Sequence, residues 1–137
     1  MATIRNFEDI KSWQEARHVY QKLGSFIDEG RFRKNYRLIH QVEGSSGSIM
    51  DNIAEGFERG AKAEFILFLG YAKGSCGELR SQLYRAFDRK YITEEEFLQL
   101  KNAVLNISGL IQNLIKYLQT SSVSGVRKKG GPNNLKP

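Results

Sequence analysis

The 137-residue chain has one cysteine, two prolines, two histidines and no long apolar run. Each shortage excludes something. With Cys76 alone no disulfide can form within the chain. The longest apolar run, Phe65 to Leu69, falls far short of the roughly 20 residues that cross a bilayer, so no membrane span is expected. The opening Met-Ala-Thr-Ile-Arg-Asn lacks the apolar stretch of a signal peptide, which predicts a cytoplasmic protein. Two histidines leave few candidate bases, and neither Cys76 nor any serine sits in a recognisable nucleophile turn, so no catalytic triad can be argued. No strand pattern is visible either. Gly44-Ser45-Ser46-Gly47 therefore has no strand before it and matches no nucleotide-binding fingerprint.

What the chain does have is an ordinary globular composition, 40% hydrophobic and 26% charged, at the length of a single domain. The net charge of +6 is unevenly spread. Four of those charges, Arg127, Lys128, Lys129 and Lys136, fall in residues 121–137 with no acid beside them, so residues 1–120 carry only +2. The last stretch is rich in Ser, Gly, Lys, Pro and Asn, and we read 121–137 as a disordered basic tail on a folded unit of residues 1–120.

Hydrophobic periodicity predicts four helices, an all-α chain folded as an antiparallel up-down-up-down bundle. Asn6 with Glu8-Asp9 opens the first, whose apolar positions from Phe7 to Ile27 recur every three or four residues. Residues 28–35 lose that period and form a connection. The second helix turns Leu38/Ile39, Val42, Ser45/Ser46, Ile49, Ile53 and Phe57 inward, and the third runs roughly from Ala63 to Asp88. Thr93 and Glu96 make a capping box that starts the fourth at Glu94. That last helix is apolar over more than one face, from Phe97 and Leu98 to Leu118, which suggests that part of it meets another subunit.

The middle of the second helix, Gly44-Ser45-Ser46-Gly47-Ser48, is a poor helix former. The third carries its own small set, Gly70, Gly74, Ser75 and Gly77. Two such stripes would let these helices approach closely. On the same pair, Asn52 and Glu55 share one face and Ser75 and Glu78 another, so the four are expected to form a buried hydrogen-bond network that fixes helix register, a reading preferred to an active site.

Bundles of this kind often hold two metal ions between paired Glu-x-x-His motifs, and Glu15-Ala16-Arg17-His18 supplies one such motif. The second is missing, because His40 stands in the reverse order before Glu43. Two surface histidines are the better reading, and no metal or cofactor is expected.

Three segments together resemble a known family. Phe7-Glu8-Asp9-Ile10 with Trp13-Gln14-Glu15-Ala16, then Asn52-Ile53-Ala54-Glu55-Gly56-Phe57-Glu58-Arg59, then Glu64-Phe65 through Gly74-Ser75-x-x-Glu78-Leu79, are similar to the bacterial four-helix-bundle proteins encoded in intervening sequences of large-subunit ribosomal RNA genes. The likeness covers about residues 6–119. It implies a ring-like homopentamer with no established enzymatic activity. Some relatives are accessory proteins of diversity-generating retroelements, so the resemblance also implies a reverse transcriptase and nucleic acid as partners. The chain departs from the family at Glu43-Gly44-Ser45-Ser46-Gly47, where arginine and alanine are more usual.

Alternating helix direction would bring the first connection and the last turn to one end of the bundle. Arg31, Arg33, Lys34 and Arg37 would then meet Arg85, Arg89 and Lys90, with Phe32, Tyr36, Tyr84 and Tyr91 nearby. Phosphate contacts beside aromatic rings suit RNA or DNA. The plainer reading makes Arg85, Arg89 and Lys90 helix caps. Lys34 and Arg37 resist it, since cations at a helix start oppose the dipole. A protein-interaction scaffold without nucleic acid is the alternative function.

Overall fold

The computed structural model describes residues 4–121, so the tail expected from residue 121 lies, past that one residue, outside the described part. A short 3-10 turn, Phe7–Asp9, precedes four α-helices: α1 (Lys11–Asp28), α2 (Tyr36–Glu58), α3 (Lys62–Asp88) and α4 (Glu94–Thr120). The single first helix read from the sequence is thus broken at Ile10. Asp9 accepts the backbone N–H groups of Arg5 and Asn6 at 3.0 Å, which closes the turn, and Ile10 then adopts an extended conformation and buries itself. The core takes this side chain at the expense of a continuous helix.

Cross-helix contacts fix the directions. Arg85 donates to Gln41, Ser75 to Ser48, and Phe65 and Phe68 lie against Gly56, so α2 and α3 run antiparallel over their whole length. Between α3 and α4 the Phe87 and Tyr84 rings meet Phe97, Lys73 donates to Gln112 at 2.8 Å, and Lys62 reaches the Ser121 carbonyl at 2.7 Å. Tyr20 on α1 donates to Glu43 on α2 at 3.3 Å. Among the described residues the helices form a square in which each packs on its two neighbours and no two backbones come close across the diagonal.

Of the inward positions read for α2, Leu38, Val42, Ser45, Ser46, Ile49, Ile53 and Phe57 are buried, and Ile39 is half-buried beside them. Ser46 satisfies its hydroxyl within its own helix, donating to the Val42 carbonyl at 2.7 Å. The glycines do otherwise than expected. A Cβ added at Gly44, Gly70, Gly74 or Gly77 would meet nothing within 4 Å, so these residues line outer faces and not the α2–α3 contact. The close approach is made by Gly56 instead, where an added Cβ would stand 2.6 Å from the Cβ of Phe68.

Candidate nucleic-acid interface

One end of the square gathers the C-termini of α1 and α3 and the N-termini of α2 and α4, and four caps define it. Asn35 opens α2 by accepting the Leu38 N–H at 3.2 Å, while its amide donates to the Tyr91 hydroxyl at 3.2 Å. Thr93 and Glu96 form the expected capping box of α4. Both chain reversals end in the left-handed region: Gly30 (φ 77°) after α1 and Lys90 (φ 63°) after α3, each followed by an N–H bond back to the helix, Arg31 to Phe26 and Tyr91 to Ala86, at 3.0 Å. Arg33, later in the first connection, also has a positive φ of 55°.

The seven predicted cations do reach this end, but they do not form one patch. Arg31 donates to Glu96, lies within 3.6 Å of Glu29 and has its guanidinium 4.4 Å from the Phe26 ring centroid. Its partners raise its own pKa, chiefly Glu96, and in return Arg31 holds the Glu96 carboxyl down at about 2. Arg31 is therefore neutralised on the α1–α4 side, where Asp28, Glu29, Glu94, Glu95 and Glu96 lie. The α2–α3 side holds Arg33, Lys34, Arg37, Arg85 and Arg89, all exposed, with Asp88 as the acid among them, while the exposed Lys90 lines a shallow hollow of the α3–α4 turn together with Arg31, Glu94 and Glu96. The end is split into an acidic half and a basic corner.

Within the corner Tyr91 is the organiser. Its ring, only 7% exposed, lies 6.0 Å from the Arg33 guanidinium and 5.9 Å from that of Arg89. Phe32 is wholly buried against it, ring centroids 5.7 Å apart. Two of the four aromatics expected to face a ligand are thus structural. Tyr36 at 62% and Tyr84 at 43% are the exposed ones. Tyr84 is engaged by Phe97 and Lys101 on the α3–α4 side, leaving Tyr36 as the ring beside the basic corner.

The polar cluster on α2 and α3 is assembled differently from its prediction. Asn52 turns back to Ser48 of its own helix, donating to the backbone carbonyl at 2.8 Å and the hydroxyl at 2.9 Å, and Ser75 donates to the same hydroxyl at 3.2 Å. Ser48 is the centre, and sequence reasoning missed it because it was counted among the small residues. Glu55 is exposed and pairs with Arg59 at 3.1 Å, and Glu78 is exposed as well. Asn35 was also missed as a link, although an asparagine just ahead of a helical period is a capping signal.

Elsewhere, Glu15 is shared between Lys11 at 3.0 Å and His18 at 3.6 Å, and the Lys11 ammonium is the main cause of its lowered pKa. Among the described residues no three His, Cys, Asp or Glu side chains converge to hold a metal ion. Cys76 is 2% exposed, and burial pushes its thiol up to about 12. A groove of about 870 Å³ runs along the outside of α2 between Tyr20, His40, Gly44 and Asn52, but Glu43, Asp51 and Glu55 give it the wrong charge for a phosphate backbone. Among the described residues no helix is long and apolar enough to cross a membrane.

An antiparallel four-helix bundle with one basic corner and outward-facing glycines is the class these observations define. More specifically, the chain belongs to the 23S rRNA-intervening sequence protein family, whose family model matches residues 8–113. Among solved structures it is similar to a protein of unknown function from the S23 ribosomal protein family of Bacteroides thetaiotaomicron, with a TM-score of 0.70 at 23% identity, over 77% of this chain and 98% of that one. At that identity the likeness concerns the fold. Neither the family nor the neighbour is described as an enzyme. Curated proteins give no match.

Proposed function

We propose that this protein is a non-enzymatic, homo-oligomeric cytoplasmic bundle that binds nucleic acid through the α2–α3 corner, as an accessory to an RNA or reverse-transcription process. One observation carries the reading. Arg33 and Lys90, on different connections, both hold left-handed backbone conformations that cost a side-chain-bearing residue on the order of 1 kcal/mol, and both carry an exposed cation at this end of the bundle. α1 places glycine at the position that Lys90 fills in α3. A charge kept where glycine is easier points to use of the charge.

Self-association is supported by Leu67 and Tyr71 on α3 and Leu98 and Leu105 on α4, all 42–52% exposed. A pentameric ring and a reverse-transcriptase partner follow from the family resemblance. The site residues are Arg33, Lys34, Arg37, Arg85, Arg89 and Lys90, with Arg31 withdrawn into its ion pair. Binding of a labelled RNA at low salt, falling steeply as salt rises, is the expected result. Charge reversal at Arg33 and Lys90 should abolish it, whereas Arg17→Glu on α1 should not. If RNA and DNA both fail to bind at low salt, or if the Arg33 and Lys90 reversals leave binding intact, the reading fails. A protein co-purifying without nucleic acid would then favour the scaffold.

A further inference from the structure

We propose that the nucleic acid taken by this corner is single-stranded, with phosphates on Arg33 and Arg89 and a base stacked on Tyr36; this rests on the reading just given and goes beyond it to the form of the ligand. The shape of the corner favours a single strand. It consists of two tight connections and the blunt ends of α2 and α3, and among the described residues no helix or strand pair projects from it to enter a groove of duplex DNA. A duplex would meet this blunt surface with its phosphates, its base faces stacked on one another and out of reach of an aromatic ring.

Tyr36 is the most exposed of the large hydrophobic side chains in the described chain, at 62%, and it is the first residue of α2. Its place is tied to the cations. Asn35, its neighbour, bonds the Tyr91 hydroxyl, and the Tyr91 ring carries the guanidiniums of Arg33 and Arg89. One buried ring thus sets the positions of two charges and of the segment that bears the exposed ring. Positive charge along a short path beside an unoccupied aromatic face is the arrangement by which proteins hold unpaired strands, where any base can stack. Tyr91 cannot serve as that platform, being buried beneath the arginines.

The full chain at low salt should be titrated into labelled oligothymidine and into a duplex of equal length. Single strand is expected to bind several-fold tighter. Tyr36→Ala should weaken single-strand binding roughly five-fold or more, the lower end of a base-stacking contribution, and leave duplex binding alone. Tyr36→Phe should retain the affinity. Because the side chain is exposed, both variants are expected to keep the helical circular dichroism of the parent. Equal or tighter duplex binding, or a Tyr36→Ala protein that holds the single strand unchanged, overturns the inference while leaving the basic corner standing. No binding of either form overturns the corner itself.

Discussion

Arg31 and Glu96 join the first connection of the bundle to the start of α4, and the Glu96 carboxylate that takes the guanidinium also accepts the Thr93 N–H at 2.9 Å. One carboxylate holds a helix cap and an inter-helix link. Its pKa stands near 2, below the ordinary value of 4.5, mainly because of Arg31. A folded-state pKa that is depressed adds stability above the unfolded value and loses it as pH falls through the folded one. Urea denaturation should therefore show stability declining between about pH 4.5 and 2. The two side chains are 26% and 24% exposed, so solvent screening limits the share of this pair to the order of 1 kcal/mol. Glu96→Gln should be less stable at pH 7 by about that amount and flatter over the acid range. An unchanged acid profile in Glu96→Gln would rule the pair out as the source.

Gly56 faces a different constraint. Alanine is the better helix former by roughly 0.5–1 kcal/mol. Here its Cβ would stand 2.6 Å from the Phe68 Cβ and 3.4 Å from the Phe65 carbonyl oxygen, neither of which can swing aside. Gly56→Ala is expected to destabilise by about 1–3 kcal/mol through overpacking. Thermal denaturation checks it.

Gly44, Gly70, Gly74 and Gly77 make the opposite case. A Cβ at each would lie in open space, so each Gly→Ala change should stabilise a lone bundle by about 0.5–1 kcal/mol. Light scattering read alongside the melts tells more. A glycine whose replacement lowers both the melting temperature and the particle mass lies in an interface between copies.

These contrasts explain what could be read in advance. Period and caps placed the helices, because Thr93 and Glu96 act through their own backbone neighbourhood. Small residues were harder to place. On α2, Gly44 and Gly47 flank Ser45 and Ser46, and a rotation of one residue, about 100°, decides whether a small side chain faces core or solvent. Asn52 met the same ambiguity: a partner one turn back on its own helix and one across the gap satisfy the spacing equally, and it took the local one. The splitting of the charged end was hidden because Arg31 pairs with Glu96, 65 residues away.

Cys76 gives a reading of the core as a whole. At 2% exposure and with a thiol held near 12, it should carry a thiolate in roughly one molecule in ten thousand at pH 8. A thiol reagent should fail to label the native protein and label it fully in denaturant. The labelling rate should follow global opening of the bundle. Rapid labelling of the native state would mean that α3 opens locally.

Lys90 and Arg33 set stability against binding. In the left-handed region glycine avoids the Cβ clash that lysine and arginine bear, so Lys90→Gly and Arg33→Gly should each raise stability by up to about 1 kcal/mol. Each also removes one cation from this end of the bundle and should weaken nucleic-acid binding and lower its salt dependence by about one counterion. The two effects have opposite sign: binding should fall while the fold becomes more stable. Two measurements on the same samples, a urea midpoint and a salt titration of affinity, are enough. If Lys90→Gly stabilises the bundle and leaves affinity and salt slope unchanged, the lysine is not a phosphate contact. If it lowers stability instead, the side chain contributes to the fold of the α3–α4 turn, and its strained backbone then has a structural cause.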